Sequence, residues 1–148
     1  MVIYIYMVKI YIAGKYDNLS EIREAQRLVI EAGFEISYDW TKNAELTLKS
    51  DKIDSIVRMR SDADNDLNGV IDADWSIILL TDYNYVYRGS FCELGASITR
   101  DKFRNSLRTI VIRNTSAYAM SCCFAHHSDI IYCDNMEDAI LYIKKIKS

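Results

Sequence analysis

The chain contains no proline in its 148 residues, where about seven would be usual. It also has no internal repeat and no linker-like run, so a second domain is not expected. No apolar stretch approaches the ~18 residues that a membrane-crossing helix needs. Met1-Val2-Ile3-Tyr4-Ile5-Tyr6 is apolar, but it is too short for a signal segment and lacks a basic leader. Cysteine is sparse: Cys92, Cys122, Cys123 and Cys133 form no C-x-x-C. The adjacent pair Cys122-Cys123 is poor disulfide geometry, and free thiols in a reducing cytoplasm are the simplest account. Cys122, Cys123, His126 and His127 do not have the usual zinc spacing, so they are read as structural and no metal is expected. The Gly-rich phosphate loops are missing as well. Ile12-Ala13-Gly14-Lys15-Tyr16-Asp17 is not G-x-G-x-x-G, and no G-x-x-x-x-G-K-[ST] occurs, so no dinucleotide or other cofactor is expected. A receiver domain would need paired acids after the first strand and a late lysine, and neither is found. The net charge of -3 leaves no basic footprint for a nucleic-acid polymer.

Half the residues are hydrophobic and about a quarter charged, the balance of one globular domain with a sizeable core. Residues 1–7 are read either as an extension of the first strand or as a disordered leader, with Met7 as an alternative start. Residues 8–148 form the domain. Val8 to Ala13 reads as the first strand. Asn18-x-x-Glu21 caps a first helix with Ile22, Ala25, Leu28, Val29 and Ala32 on one face, and Gly33 closes it. Phe34 to Tyr38 is the second strand. Asp39 to Ser50 is polar and aperiodic, a loop over the crevice. A second helix starts at Asp51 or Asp54 and ends at Gly69 or Asp72. Trp75 to Leu80 is a buried third strand, followed by a tyrosine-rich loop and a helix from Leu94 to Lys102. Leu107 to Ile112 is a fourth strand, 113–127 is irregular or a short helix, and Asp129 to Tyr132 is a fifth strand. A last helix is capped by Asp134-x-x-Glu137. This alternation predicts a single-domain α/β protein of flavodoxin/Rossmann-like type. Its five-stranded parallel sheet has helices on both faces and strand order 2-1-3-4-5.

Ligands of open α/β sheets bind beyond the carboxyl ends of the strands. Glu93, in the segment Arg88-Gly89-Ser90-Phe91-Cys92-Glu93-Leu94-Gly95, stands at such a place. Ser90-x-x-Glu93 also has the spacing of a helix capping box. The two readings are compatible, because a helix N-terminus keeps a nearby carboxylate ionised and an ionised carboxylate is a nucleophile. Tyr11, Asp66, Asp72 and Asp74 fall near element ends on the same side. Each alone is equally a core or helix-terminating residue.

Three segments together carry a resemblance: Lys9-Ile10-Tyr11-Ile12-Ala13-Gly14, Asn65-Asp66-Leu67-Asn68-Gly69-Val70 and Glu93-Leu94-Gly95. In this order and spacing the chain resembles the nucleoside 2-deoxyribosyltransferases and their nucleotide N-glycosidase relatives. The resemblance implies that Glu93 is the nucleophile, that Tyr11 orients it and that Asp66 contacts and protonates the nucleobase. Tyr16 would pack on the base, with Gly14, Asn68, Gly89 and Ser90 as further substrate contacts. The implied activity is transfer of deoxyribose between bases through a glycosyl-Glu93 intermediate. The alternatives are hydrolysis of 2'-deoxynucleoside 5'-monophosphates, with Lys15, Arg88 and Ser90 as phosphate ligands, or a non-catalytic nucleotide-binding role. The partners are then small nucleosides, nucleotides and free bases, in a homodimer or higher homo-oligomer with Tyr83, Tyr85 and Tyr87 as interface candidates. Two departures stand out. Tyr87 occupies a position where many of these transferases have an Asp, and the segment lent to a neighbour's site is not recognisable between residues 114 and 127.

Overall fold

The computed structural model describes residues 1–44, 52–113 and 122–146. The elements are β1 (Lys9–Ala13), α1 (Leu19–Glu31), β2 (Glu35–Ile36), α2 (Lys52–Asp72) and β3 (Trp75–Leu80). They are followed by α3 (Gly89–Arg104), β4 (Thr109–Arg113), a 3-10 turn (Cys123–His126), β5 (Ile131–Cys133) and α4 (Met136–Ile146). All five strands are parallel, in the order β2-β1-β3-β4-β5. This is the architecture that the alternation of elements predicts. None of the described helices is long and apolar enough to cross a membrane.

The central strands read as near-continuous apolar runs because helices cover both of their faces. Every residue of β3 is buried. Trp75 meets Tyr142 of α4 edge-on, while its neighbour Ser76 accepts a hydrogen bond from Arg100 of α3. Strand alternation therefore sends odd β3 positions toward α1 and α4, and even ones toward α2 and α3. The Asn18 cap is present, with the Glu21 N–H donating to its side chain. Gly33 ends α1 at φ 92°, a left-handed conformation that suits glycine.

Several boundaries move from their sequence-based places. β2 shrinks to two residues. β4 starts at Thr109 rather than Leu107, because the Arg108 N–H is taken by the Asp101 carboxylate and Leu107 is exposed. β5 starts two residues and ends one residue later than expected, and the cap of α4 is Asn135, which accepts from the Asp138 N–H at 2.8 Å. Residues 41–44, expected as loop, are helical, and the rest of that stretch to residue 51 lies outside the described residues. Residues 1–8 form no strand. They are exposed through Met7, and Tyr6 donates from its hydroxyl to the Asp74 carboxylate at 2.6 and 2.7 Å.

One buried charged network fixes α2 against α3. The Arg100 guanidinium donates to the Val70 carbonyl (2.9 Å), to Ser76 (2.9 Å) and to Asp101 (2.9 Å). Asp101 also accepts from Thr109 at 2.7 Å and from the Arg108 N–H at 2.9 Å. The side chains of the ion pair are 2% and 1% exposed, so water makes no contribution. Arg104 adds bonds to the Ile71 and Ala73 carbonyls. The last turn of α2, which lacks basic side chains of its own, is thus satisfied by two arginines of α3. Removing one member of a buried pair strands the other charge. Asp101→Ala is expected to cost about 3–5 kcal/mol, read as a fall in the denaturant midpoint.

Candidate active site

In the order β2-β1-β3, the chain leaves β1 toward α1 and leaves β3 toward α3. The carboxyl ends of these two strands therefore open a crevice at the switch point. A cleft of about 650 Å³ lies there. It is lined by Gly14, Tyr16, Trp40, Asp66, Glu93 and residues 84–90.

Three polar side chains from three elements meet at its floor. Tyr11 is on β1, paired with Ser76, and so faces α2 and α3. It is fully buried. α2 passes directly over its ring, because position 69 is glycine: a Cβ there would lie 3.0 Å from Tyr11 Cε2 and 2.6 Å from Tyr38 Cβ. Asp66, three residues earlier on α2, is carried to the cleft by that close approach. Glu93 comes from α3, with Gly89 one turn before it. A Cβ at Gly89 would stand 3.6 Å from Glu93 Oε1. Tyr11 Oη, Asp66 Oδ1 and Glu93 Oε2 are all buried without a hydrogen-bond partner. Such an atom costs about 1–3 kcal/mol, and three in one place mark a site built for something else than stability.

Burial decides the protonation of this group. Glu93 is pushed up to about 8, first by desolvation and also by the charge of Asp66, with the Tyr11 hydroxyl pulling it down. Asp66 is pushed up to about 7 by desolvation and by Asp62. Tyr11 is held well above 10 by burial and by the two carboxyls. The hydroxyl of Tyr11 therefore influences Glu93, although no well-formed hydrogen bond joins them.

The capping-box reading is overturned. α3 begins at Gly89, not Leu94, and Arg88 occupies its N-cap position without any side-chain cap bond. Ser90 lies inside the first turn, and its hydroxyl donates to the Gly14 carbonyl at 3.0 Å. Glu93 falls in the second turn, where the field of the helix terminus has largely faded. Desolvation prevails, so the terminus does not keep Glu93 ionised.

Aromatic rings wall the cleft. Tyr16 stacks on Trp40, with centroids 6.1 Å apart and planes 9° off parallel. Trp40 donates from Nε1 to the Ile12 carbonyl at 2.8 Å, which anchors it to the end of β1. Sequence reasoning missed Trp40; the one available signal was a tryptophan in an otherwise polar stretch. On the other side Tyr85 meets Tyr87 edge-on at 4.9 Å. Tyr87 is 1% exposed, and its hydroxyl accepts from the Asp82 N–H. It is a packed loop residue, which removes it as an interface candidate, and Tyr85 is turned to the cleft. Only Tyr83 of that trio is exposed.

Gly14, Tyr16, Asp66, Gly89, Ser90 and Glu93 thus come together around one cavity, with Tyr11 beneath. Asn68 does not join them: it is exposed on α2, outside the lining. Lys15 is engaged by Asp82 at 2.8 Å and is also outside the lining. Arg88 lines the cleft, is exposed, and its side chain forms no ion pair or hydrogen bond among the described residues. All four cysteines are free. Among the described residues no His, Cys, Asp or Glu cluster is arranged as a metal site.

No protein-family model matches the chain, and no curated protein matches it either. Among solved structures it is similar to a 2-deoxyribosyltransferase from the psychrotolerant bacterium Bacillus psychrosaccharolyticus. The identity is 21%, each chain is covered over 90% of its length and the TM-score is 0.61. The chain therefore has the fold of that enzyme: a single α/β unit built on a five-stranded parallel sheet.

The raised carboxyls make stability depend on pH in an unusual direction. Between its ordinary 4.5 and about 8, folded Glu93 holds a proton that the unfolded chain releases, and Asp66 does so between 3.8 and about 7. Stability is then greatest below this window and falls as pH rises through it. Glu93→Gln is expected to melt above the wild type at about pH 9 and close to it at about pH 4, as measured by calorimetry.

Proposed function

We propose that this protein cleaves the N-glycosidic bond of 2'-deoxynucleosides and transfers the deoxyribosyl group to another base. The observation that carries the reading is the convergence of Tyr11 Oη, Asp66 Oδ1 and Glu93 Oε2, buried and unpartnered, on an aromatic-walled cleft. The likeness to a 2-deoxyribosyltransferase supports it.

The chemistry follows from the charges. Glu93, ionised, attacks the anomeric carbon while the bond to the base breaks through an oxocarbenium-like transition state. Asp66 gives its proton to the departing base, which leaves neutral, and a covalent glycosyl-Glu93 ester remains. A second base attacks the anomeric carbon, the carbon–oxygen bond to Glu93 breaks to restore the carboxylate, and Asp66 takes back the proton that the incoming nitrogen loses. Burial pushes both carboxyls up toward the protonated form. A base seated against Asp66 and a closed Tyr11–Glu93 hydrogen bond would favour the carboxylate where attack occurs and the acid where the base departs. Tyr16, stacked on Trp40, offers a flat face to the base. No cofactor takes part. The domain is residues 8–148, and the free thiols suit the cytoplasm.

A second reading has one observation in its favour. Arg88 is an unpaired cation at the cleft mouth, beside an α3 terminus with no side-chain cap and no acid in its first turn. That combination suits a 5'-phosphate, and the reaction would then be hydrolysis of a deoxynucleoside monophosphate. Ser90 and Lys15 are poorer phosphate ligands, because Gly14 and Asp82 already engage them.

Glu93→Gln preserves shape and is expected to lower base release by orders of magnitude while the fold persists. Intact mass spectrometry of the wild type without acceptor base should reveal the deoxyribosyl adduct. Wild-type turnover in Glu93→Gln would rule out this mechanism. Arg88→Ala separates the two substrates. It is expected to leave deoxynucleoside turnover within a few-fold but to raise KM for the monophosphate by roughly tenfold or more, if the phosphate reading holds. Unchanged kinetics on both substrates would remove the second reading.

A further inference from the structure

The inner face of α2 is polar where a helix packed on a sheet is normally apolar. Asp62, Asn65 and Asp66 are half-buried and Gly69 is buried, while Ser61, Ala63, Asp64, Leu67 and Asn68 around them are exposed. At 100° per residue the four inward positions fall within about 100° of one another. Ser37 pins this face to the end of β2, its hydroxyl donating to the Gly69 carbonyl at 2.8 Å. Two carboxyls, Asp62 and Asp66, thus stand one turn apart on the side of the helix that carries Asp66 to the cleft. Their Cβ atoms are about 5–6 Å apart, and like charges at this spacing destabilise a helix.

The surroundings do nothing to relieve the repulsion. Asp66 is faced by Tyr11 from β1, by Glu93 from α3 and by Tyr38 from the segment after β2. From its own helix it is faced by Asp62. None of these four side chains can bear a positive charge. The Tyr38 hydroxyl accepts from the Asn43 amide at 2.7 Å, and burial, with the charges of Asp66 and Asp62, helps it keep its own proton. Desolvation is the larger reason that Asp66 resists ionisation, and Asp62 is the charge that adds to it. Asp62 does not line the cleft, so it acts on a bound base only through Asp66.

We propose that Asp62 is a positioning residue: its charge, one turn from Asp66 on the inner face of α2, keeps the proton on Asp66 until a base arrives to take it. A second negative charge so near the first is unfavourable, so Asp66 stays an acid where a surface aspartate would ionise. A proton donor works best when its affinity lies near the working pH. The inference deepens the proposed function and rests on it for what Asp66 does, whereas the coupling of the two carboxyls is independent of any catalysis.

Carbon-13 NMR of the full chain, labelled at the aspartate carboxyls, tests the coupling without reference to activity, and Asp66→Asn assigns the Asp66 signal. The wild-type midpoint of Asp66 is expected at about 7. Asp62→Asn is expected to lower it by roughly half a pH unit or more, and Asp62→Ala is the second variant if the first fails to fold. Asp62→Glu keeps the charge and should keep the midpoint. Asp64→Asn removes an equal charge from the exposed side of α2 and should move the midpoint by less than half as much. In Asp62→Asn the alkaline limb of base release from a deoxynucleoside should move down with the midpoint, which a merely structural role would not produce. An unmoved midpoint in Asp62→Asn or Asp62→Ala would overturn the proposal. So would an equal shift in Asp64→Asn, or a shifted midpoint with an unmoved limb. A wild type that releases no base, while its Asp66 midpoint still depends on Asp62, would sink the proposed function and uphold the coupling.

Discussion

Two carboxyl groups and a phenol share a floor with almost no water and no protein partner for their inner atoms. Everything around the cleft follows from holding that arrangement in place. Burial raises both acids; Asp62 raises Asp66 further, Asp66 raises Glu93, and both carboxyls raise Tyr11. An ordinary surface glutamate would be a relaxed, hydrated anion. This one is dehydrated and poised between protonation states, which suits proton movement at neutral pH.

The surrounding frame resists the collapse or hydration that would relieve the group. Arg100, paired with Asp101, grips the end of α2 and the start of β3, so the helices bearing Asp66 and Glu93 keep one spacing. Near the rim the ties are polar and cross the switch point. Ser90 bonds to the Gly14 carbonyl, Lys15 to Asp82 and Thr81 to Glu21. Each joins the turn after β1, or the helix that follows it, to the segment after β3. The cleft lies between those two segments, so its width is set by side-chain bonds and not by the sheet alone.

Gly69 shows how local permission becomes a site. The residue sits within α2, where glycine is costly in a helix. Its missing Cβ lets the helix pass over Tyr11 and the Tyr38 stem. Asp66 is thereby brought down to the floor from the turn before. Glycine at 89 has a related effect on α3, leaving space in front of Glu93 Oε1.

Much of this was legible in the residues themselves. The alternation of apolar runs and amphipathic segments determined a parallel α/β sheet and its order. Glu93 was placed at the carboxyl end of the sheet because a strand end is a local property, whereas the same reasoning misplaced Asp74, which accepts from the Lys9 N–H at the opposite end of the sheet. What the sequence could not decide is whatever depends on distant partners. Ser90 looked like the cap of its own helix, yet its partner lies 76 residues away. Trp40 looked like loop, yet it is anchored to a carbonyl 28 residues before it and stacks on Tyr16. The charge of Glu93 was read from its nearness to a helix start, a local rule, and was read wrongly. Burial is the sum of everything packed around a group, and only the tertiary structure supplies that sum.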